Sequence, residues 1–273
     1  MQLANICLAF SKVVFLLLQI TSMIMIRLLL FFGLMCLAKV LPATTIIIYI
    51  TPDFVIMAAD SRGVYTNAKT NKQSVESVSK IYKSGNRYFS VAGLALNTTR
   101  SLNIAAIANE RLSHTSNLET AIDQLKLDIK EALLTYLSNQ KKNNPTLYRN
   151  NLSEKYVTSI GLVTIQNNRP YTHLIGFAAS DKGQLKISVE EEVYKGANSK
   201  DAVYYLGTSG EINRYMNSIQ TNKYEPVEFV ERLMKLQIDK TPQLVAGPVD
   251  ILKLTNRRAT WVKRKKGTPV DLN

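Results

Sequence analysis

The stretch from Thr44 to Asp60, TTIIIYITPDFVIMAAD, constrains the fold more than any other part of the chain. TTIIIYI and FVIMAA are rich in β-branched residues, and Thr51-Pro52-Asp53 between them has turn chemistry, so the stretch reads as two antiparallel strands. Pairing about Pro52 sets residue 44 or 45 opposite residue 60, with the carboxylate of Asp60 beside Thr44 and Thr45. If the chain is cut after Ala43, Thr44 acquires a free α-amine next to its own hydroxyl, a base and a nucleophile on one residue.

Residues 1–43 stand apart. They hold Lys12, Arg27 and Lys39, no acid, and two apolar runs, Val13 to Ile26 and Leu28 to Ala38. A start at Met23 or Met25 gives a basic n-region, an apolar h-region and Ala43 at the cut, the layout of a signal peptide and hence of an exported, periplasmic or secreted protein. The alternative is a membrane anchor retained over residues 13–38, since the two runs together approach spanning length if Arg27 is tolerated.

Both cysteines, Cys7 and Cys36, lie in that leader, so a chain starting at Thr44 has no disulfide, cysteine nucleophile or cysteine metal site. With only His114 and His173, a multi-histidine metal site or a histidine relay is not expected either, and no cofactor is implied. Any chemistry falls to Thr, Ser, Lys, Asp or Glu. The net charge of +13 is spread over dispersed lysines without aromatic interleaving, which reads as a solvated basic surface and not as a nucleic-acid site. The exception is the cluster of Arg257, Arg258 and 263–266 around Trp261, a closing strand that runs into a basic tail over 263–273.

After the first hairpin, Ser61 to Ser77 is polar and reads as an excursion with no core. VSKIYK and RYFSVA then flank Ser84-Gly85-Asn86 as a second hairpin, with Lys80 on a strand face between Val78 and Tyr82, where it must snorkel or find a partner. Helical spacing follows from Ala95 to His114, and again after Asn117 as N-cap, along Ile122, Leu125, Ile129, Leu133 and Leu137. Residues 141–155 read as a polar connection broken by Pro145. Three strands come next (156–165, 170–179, 184–194), then AVYYLG, helical segments at 211–218 and 226–238, and closing strands at 248–255 and 259–263. Helices in two separate pairs and strands in excess of one small sheet imply an α+β domain over 44–273, a four-layer αββα sandwich of two mainly antiparallel sheets.

At TTIII, VIMAADSRG, the Lys80 hairpin leading into VAGLA, YLGTSGE and AGPVDILKLT, the chain resembles the proteasome β-subunit and HslV-like group of N-terminal-nucleophile (Ntn) hydrolases, here in an exported form. The resemblance covers residues 44 to 255, and Asp60 stands at the family's spacing from Thr44. It implies an Ntn hydrolase fold and a threonine hydrolase of peptide or small amide bonds. Thr44 is then the nucleophile, Lys80 lowers the pKa of its amine, Asp60 holds Lys80, the Gly93 N–H serves as an oxyanion donor, and Ser209 supports the amine. It also implies maturation by a signal peptidase and possible homo-oligomers. The chain departs from the pattern in three places. The interval from Asp60 to Lys80 is longer, which leaves Lys72 as a weaker candidate. TPQLVAGP lacks an aspartate and serine found near the family's C-terminus, and Ala43 replaces a glycine before the threonine. A non-catalytic relative, structural or binding, is the alternative function. Asn97-Thr98-Thr99 and Asn151-Leu152-Ser153 are glycosylation sequons if the host is eukaryotic.

Overall fold

A computed structural model describes residues 44–66, 73–95, 102–195, 201–218 and 224–265. The leader with Cys7 and Cys36, Lys72, the Asn97 sequon and the tail from Lys266 lie outside the described residues.

The first hairpin forms as the residue types demand. Strands β1 (Thr45–Ile50) and β2 (Phe54–Ala59) pair antiparallel from Ile46 opposite Ala59 to Ile50 opposite Val55. The turn is held by Thr51, whose hydroxyl oxygen accepts the Phe54 N–H at 3.0 Å. Thr45 therefore lies across from Asp60, whose N–H donates to the Thr45 carbonyl at 3.2 Å. The apolar run is unbroken because both faces of the hairpin are covered. Ile46, Ile48 and Ile50 pack inward with Met57, Val163 and Leu174, whereas Ile47, Ile56 and Ala58 pack outward on Phe229, Val230, Leu233 and Met234. Each fully buried side chain of this size contributes about 1.5–3 kcal/mol.

Two five-stranded antiparallel sheets result. The first has the order β10 (Ala202–Gly207), β1, β2, β11 (Asp250–Thr255), β12 (Ala259–Lys263). The second runs β5 (Ile81–Ser84), β6 (Arg87–Gly93), β7 (Lys155–Gln166), β8 (Arg169–Ser180), β9 (Lys186–Lys195). Asn167 and Asn168, with φ of 50° and 57°, make the tight turn between β7 and β8. One core fills the space between the sheets. A second lies under α1 (Ile104–His114), α2 (Leu118–Asn143) and α3 (Pro145–Asn151), and a third under α4 (Gly210–Met216) and α5 (Pro226–Lys240). These layers are the expected α+β, four-layer αββα sandwich of two antiparallel sheets. The sheets approach closely at Gly161, where a Cβ would lie 2.2 Å from Ile48 Cδ1.

Four local expectations are corrected. Ser61 to Ser77 is not structureless, because β3 (Arg62–Thr66) and β4 (Gln73–Ser77) pair as a separate two-stranded ribbon. Its mostly polar residues hid the strands. The first helix starts at Ile104, not near Ala95. Asn103 caps it by accepting the Ala106 N–H at 3.0 Å, and residues 96–101 lie outside the described residues. Pro145 begins α3 instead of breaking the chain, because a first-turn proline gives up an N–H that the helix does not use. Lys80 precedes β5 and is not part of it. Among the described residues no helix is long and apolar enough to cross a membrane.

Candidate active site

The end of the first hairpin gathers Thr44, Asp60 and Lys80, all buried. Asp60 leaves β2 with its carboxylate turned back on the hairpin. Its Oδ1 accepts the Thr45 N–H at 2.8 Å, and its Oδ2 accepts the Arg62 N–H at 3.0 Å. Lys80 Nζ donates to both oxygens, at 2.9 and 3.0 Å, and to Thr44 Oγ1 at 3.0 Å. One ammonium thus links the carboxylate to the threonine hydroxyl. Burial pushes Asp60 above the usual carboxylate range, against the Lys80 charge and the two backbone donors. Burial likewise pulls Lys80 below the usual lysine range, against the Asp60 charge and with the added repulsion of Arg62. Asp60 favours a charged Lys80, but desolvation is the larger influence.

Sequence reasoning missed the groups that fix this arrangement. Thr208 donates its N–H to the Thr44 carbonyl at 2.8 Å, and its carbonyl accepts Thr45 Oγ1 at 2.6 Å. Gly207 has φ of +82°, and a Cβ there would sit 2.0 Å from the Thr44 carbonyl oxygen, so the strand can come this close only with glycine. Lys80 is held by its own neighbours. Ser90 Oγ donates to the Lys80 carbonyl at 2.5 Å, and Ser79 Oγ donates to Asp250 Oδ2 at 2.7 Å. Asp250 is a second buried carboxylate, opposite Ala59 in register and so beside Asp60. The one signal for it in the sequence is an aspartate inside the apolar run VDILKL.

The other candidates lie at different removes. Gly93, with φ of +83°, closes β6 at the surface. Its neighbour Ala92 is 3.2 Å from where a Gly207 side chain would begin, and Gly93 itself lies against the Val157 and Thr158 main chain of β7. Ser209 stands at the N-cap position of α4 but makes no side-chain capping bond. Its Oγ accepts Asn213 Nδ2 at 3.4 Å, and Thr208, not Ser209, bonds the threonine. The segment TPQLVAGP also closes on the site, since the Ala246 carbonyl accepts the Ser61 N–H at 3.0 Å. Among the described residues no group of three or more His, Cys, Asp or Glu could hold a metal ion.

No family model matches the chain, and no curated protein matches it. Similar solved structures are of Anbu proteins. An Anbu (Gly-1) mutant from Hyphomicrobium sp. strain MC1 shares 16% identity over 82% of this chain and 89% of that one, with a TM-score of 0.45. A second structure from that strain gives 15% identity over 80% and 87%, with a TM-score of 0.42. The helical assembly of the Anbu complex from Pseudomonas aeruginosa gives 16% over 82% and 88%, with a TM-score of 0.49.

The family expectation is corrected accordingly. With no matching family model and no matching curated protein, membership in the proteasome β-subunit and HslV-like group, exported or otherwise, does not stand. The motifs misled because TTIII and VIMAA are what a hairpin buried on both faces requires, whichever family builds it.

Proposed function

We propose that this protein is an exported N-terminal threonine hydrolase that cleaves amide bonds in peptides or small molecules. A signal peptidase removes the leader after Ala43, and Thr44 becomes the nucleophile. The observation that carries the reading is the Lys80 ammonium bonded at once to Thr44 Oγ1 and Asp60. Thr44 Oγ1 attacks the amide carbon while the freed α-amine takes the hydroxyl proton, directly or through a water, and hands it to the leaving nitrogen. An ester to Thr44 forms, and water then hydrolyses it to restore the threonine. The amine ordinarily titrates near about 7.7–8.0, and the adjacent ammonium lowers that value so that more of it is neutral at pH 7. The same ammonium stabilises negative charge growing on Oγ1, and the Gly93 N–H is the assigned donor to the carbonyl oxygen.

The test is hydrolysis of a broad peptide and amide panel by the purified protein and its Thr44→Ala variant. Turnover by the wild type alone, with a threonine-directed electrophile attached to Thr44, is expected. Equal inertness of both, with no adduct, would replace this reading by the second. In the second reading the chain is a non-catalytic, proteasome-like structural or binding protein that assembles with copies of itself. Its specific support is the segment TPQLVAGP, which closes on the site without the aspartate and serine that would support the amine.

A further inference from the structure

Beside the threonine site runs a cleft of about 520 Å³ along β10, whose lining includes Tyr156, Gly176, Glu190, Glu192, Tyr204 and Gly207. Strand alternation on β9 sorts its three consecutive glutamates. Glu191 points to the helical side, where Lys126 at 2.5 Å and His173 Nδ1 at 2.8 Å meet it. Glu190 and Glu192 lie opposite Gly176 and Leu174, on the face that looks toward the other sheet. Among the described residues neither is in an ion pair. Their partners are phenols: Glu190 accepts Tyr156 Oη, and Glu192 accepts Tyr194 Oη at 2.5 Å. The Tyr194 and Tyr204 rings stand 5.0 Å apart. Two carboxylates without a counter-cation, framed by aromatic rings, form a setting that attracts an organic cation through both charge and ring faces. This happens in a chain of net charge +13, whose overall field repels cations, so the preference is local to the cleft.

The cleft also leads to the nucleophile. Gly207 lines it, faces Thr45 in register, and abuts the Thr44 carbonyl. We propose that the cleft is a specificity subsite for a cationic peptide. The substrate enters the cleft between β9 and β10 with its scissile amide at Thr44, and a lysine or arginine side chain sits between Glu190, Glu192 and the tyrosine rings. This inference rests on the threonine hydrolase reading for the cleavage, but not for the binding.

Three fluorescein-labelled peptides of equal length, differing at one position as lysine, norleucine or glutamate, test it. Binding is read by anisotropy with the Thr44→Ala protein, and turnover with the wild type. The expected result is binding of the lysine peptide about tenfold tighter than the norleucine peptide. Glu190→Gln/Glu192→Gln, two isosteric changes at exposed positions, erases that preference and raises KM for the lysine peptide about tenfold with kcat unchanged. If the wild type cleaves none of the peptides while the Glu-dependent lysine preference persists in binding, the subsite stands and the hydrolase reading falls. If the peptides bind alike, or the double variant keeps the lysine preference, the subsite is overturned whatever the turnover.

Discussion

Two lysine–carboxylate pairs of nearly the same length show how differently one contact can behave in this molecule. Lys80 and Asp60 meet at 2.9 Å with side chains 8% and 0% exposed; Lys235 and Asp239 meet at 2.5 Å on the outer face of α5, 74% and 53% exposed. The outer pair spans one helical turn, is screened by solvent and contributes a few tenths of a kcal/mol. The inner pair has given up its hydration. It persists because every polar atom found a partner: two backbone N–H groups for the carboxylate, and a threonine hydroxyl for the third lysine proton. A packed apolar pair would stabilise the fold as well or better, so stability alone does not account for a buried charge pair here. On the proposed reading its use is to hold a cation against Thr44.

The largest effect should come from breaking the inner pair. Lys80→Met or Asp60→Asn removes one partner and leaves the other buried. Urea denaturation should report a loss of about 3–5 kcal/mol, and hydrolysis should vanish. The double variant Asp60→Leu/Lys80→Met should recover much of that stability and none of the activity. Recovery of activity would detach the pair from function.

A smaller loss is expected one bond away. Ser79→Ala leaves a buried Asp250 oxygen without its hydroxyl donor, at about 1–3 kcal/mol in the same titration. Because Ser79 adjoins Lys80, turnover should fall while KM stays level. The smallest effect belongs to the outer pair. Lys235→Ala should shift stability by less than about 0.5 kcal/mol and leave turnover untouched; a shift as large as that of Ser79→Ala would erase the distinction between inner and outer pairs.

The parts of the fold legible in the sequence were those where one local rule dominates. The hairpin at Thr44–Asp60 followed from β-branched runs around a turn, and α2 from its apolar stripe and Asn117 cap, which accepts the Thr120 N–H at 3.1 Å. The β3–β4 ribbon escaped because its residues are mostly polar, and α3 because proline breaks a helix or starts one depending on position. At the site, Lys80 could be singled out as a lysine among apolar neighbours that needed a partner, and Asp60 by its place opposite the threonines. Thr208, Gly207 and Asp250 could not, since Thr208 and Gly207 act through backbone atoms and Asp250 depends on a β11 register that no local pattern encodes. Ser209 was singled out by the resemblance alone; its hydroxyl meets Asn213, and the neighbouring Thr208 N–H meets the Thr44 carbonyl.

Every catalytic role described depends on the bond between Ala43 and Thr44. The most direct measurement is therefore the N-terminal sequence of the purified protein, read by mass spectrometry of its first peptide. The account predicts a chain that starts at Thr44 with a free amine. A chain that keeps Ala43, or starts at any other residue, would contradict it.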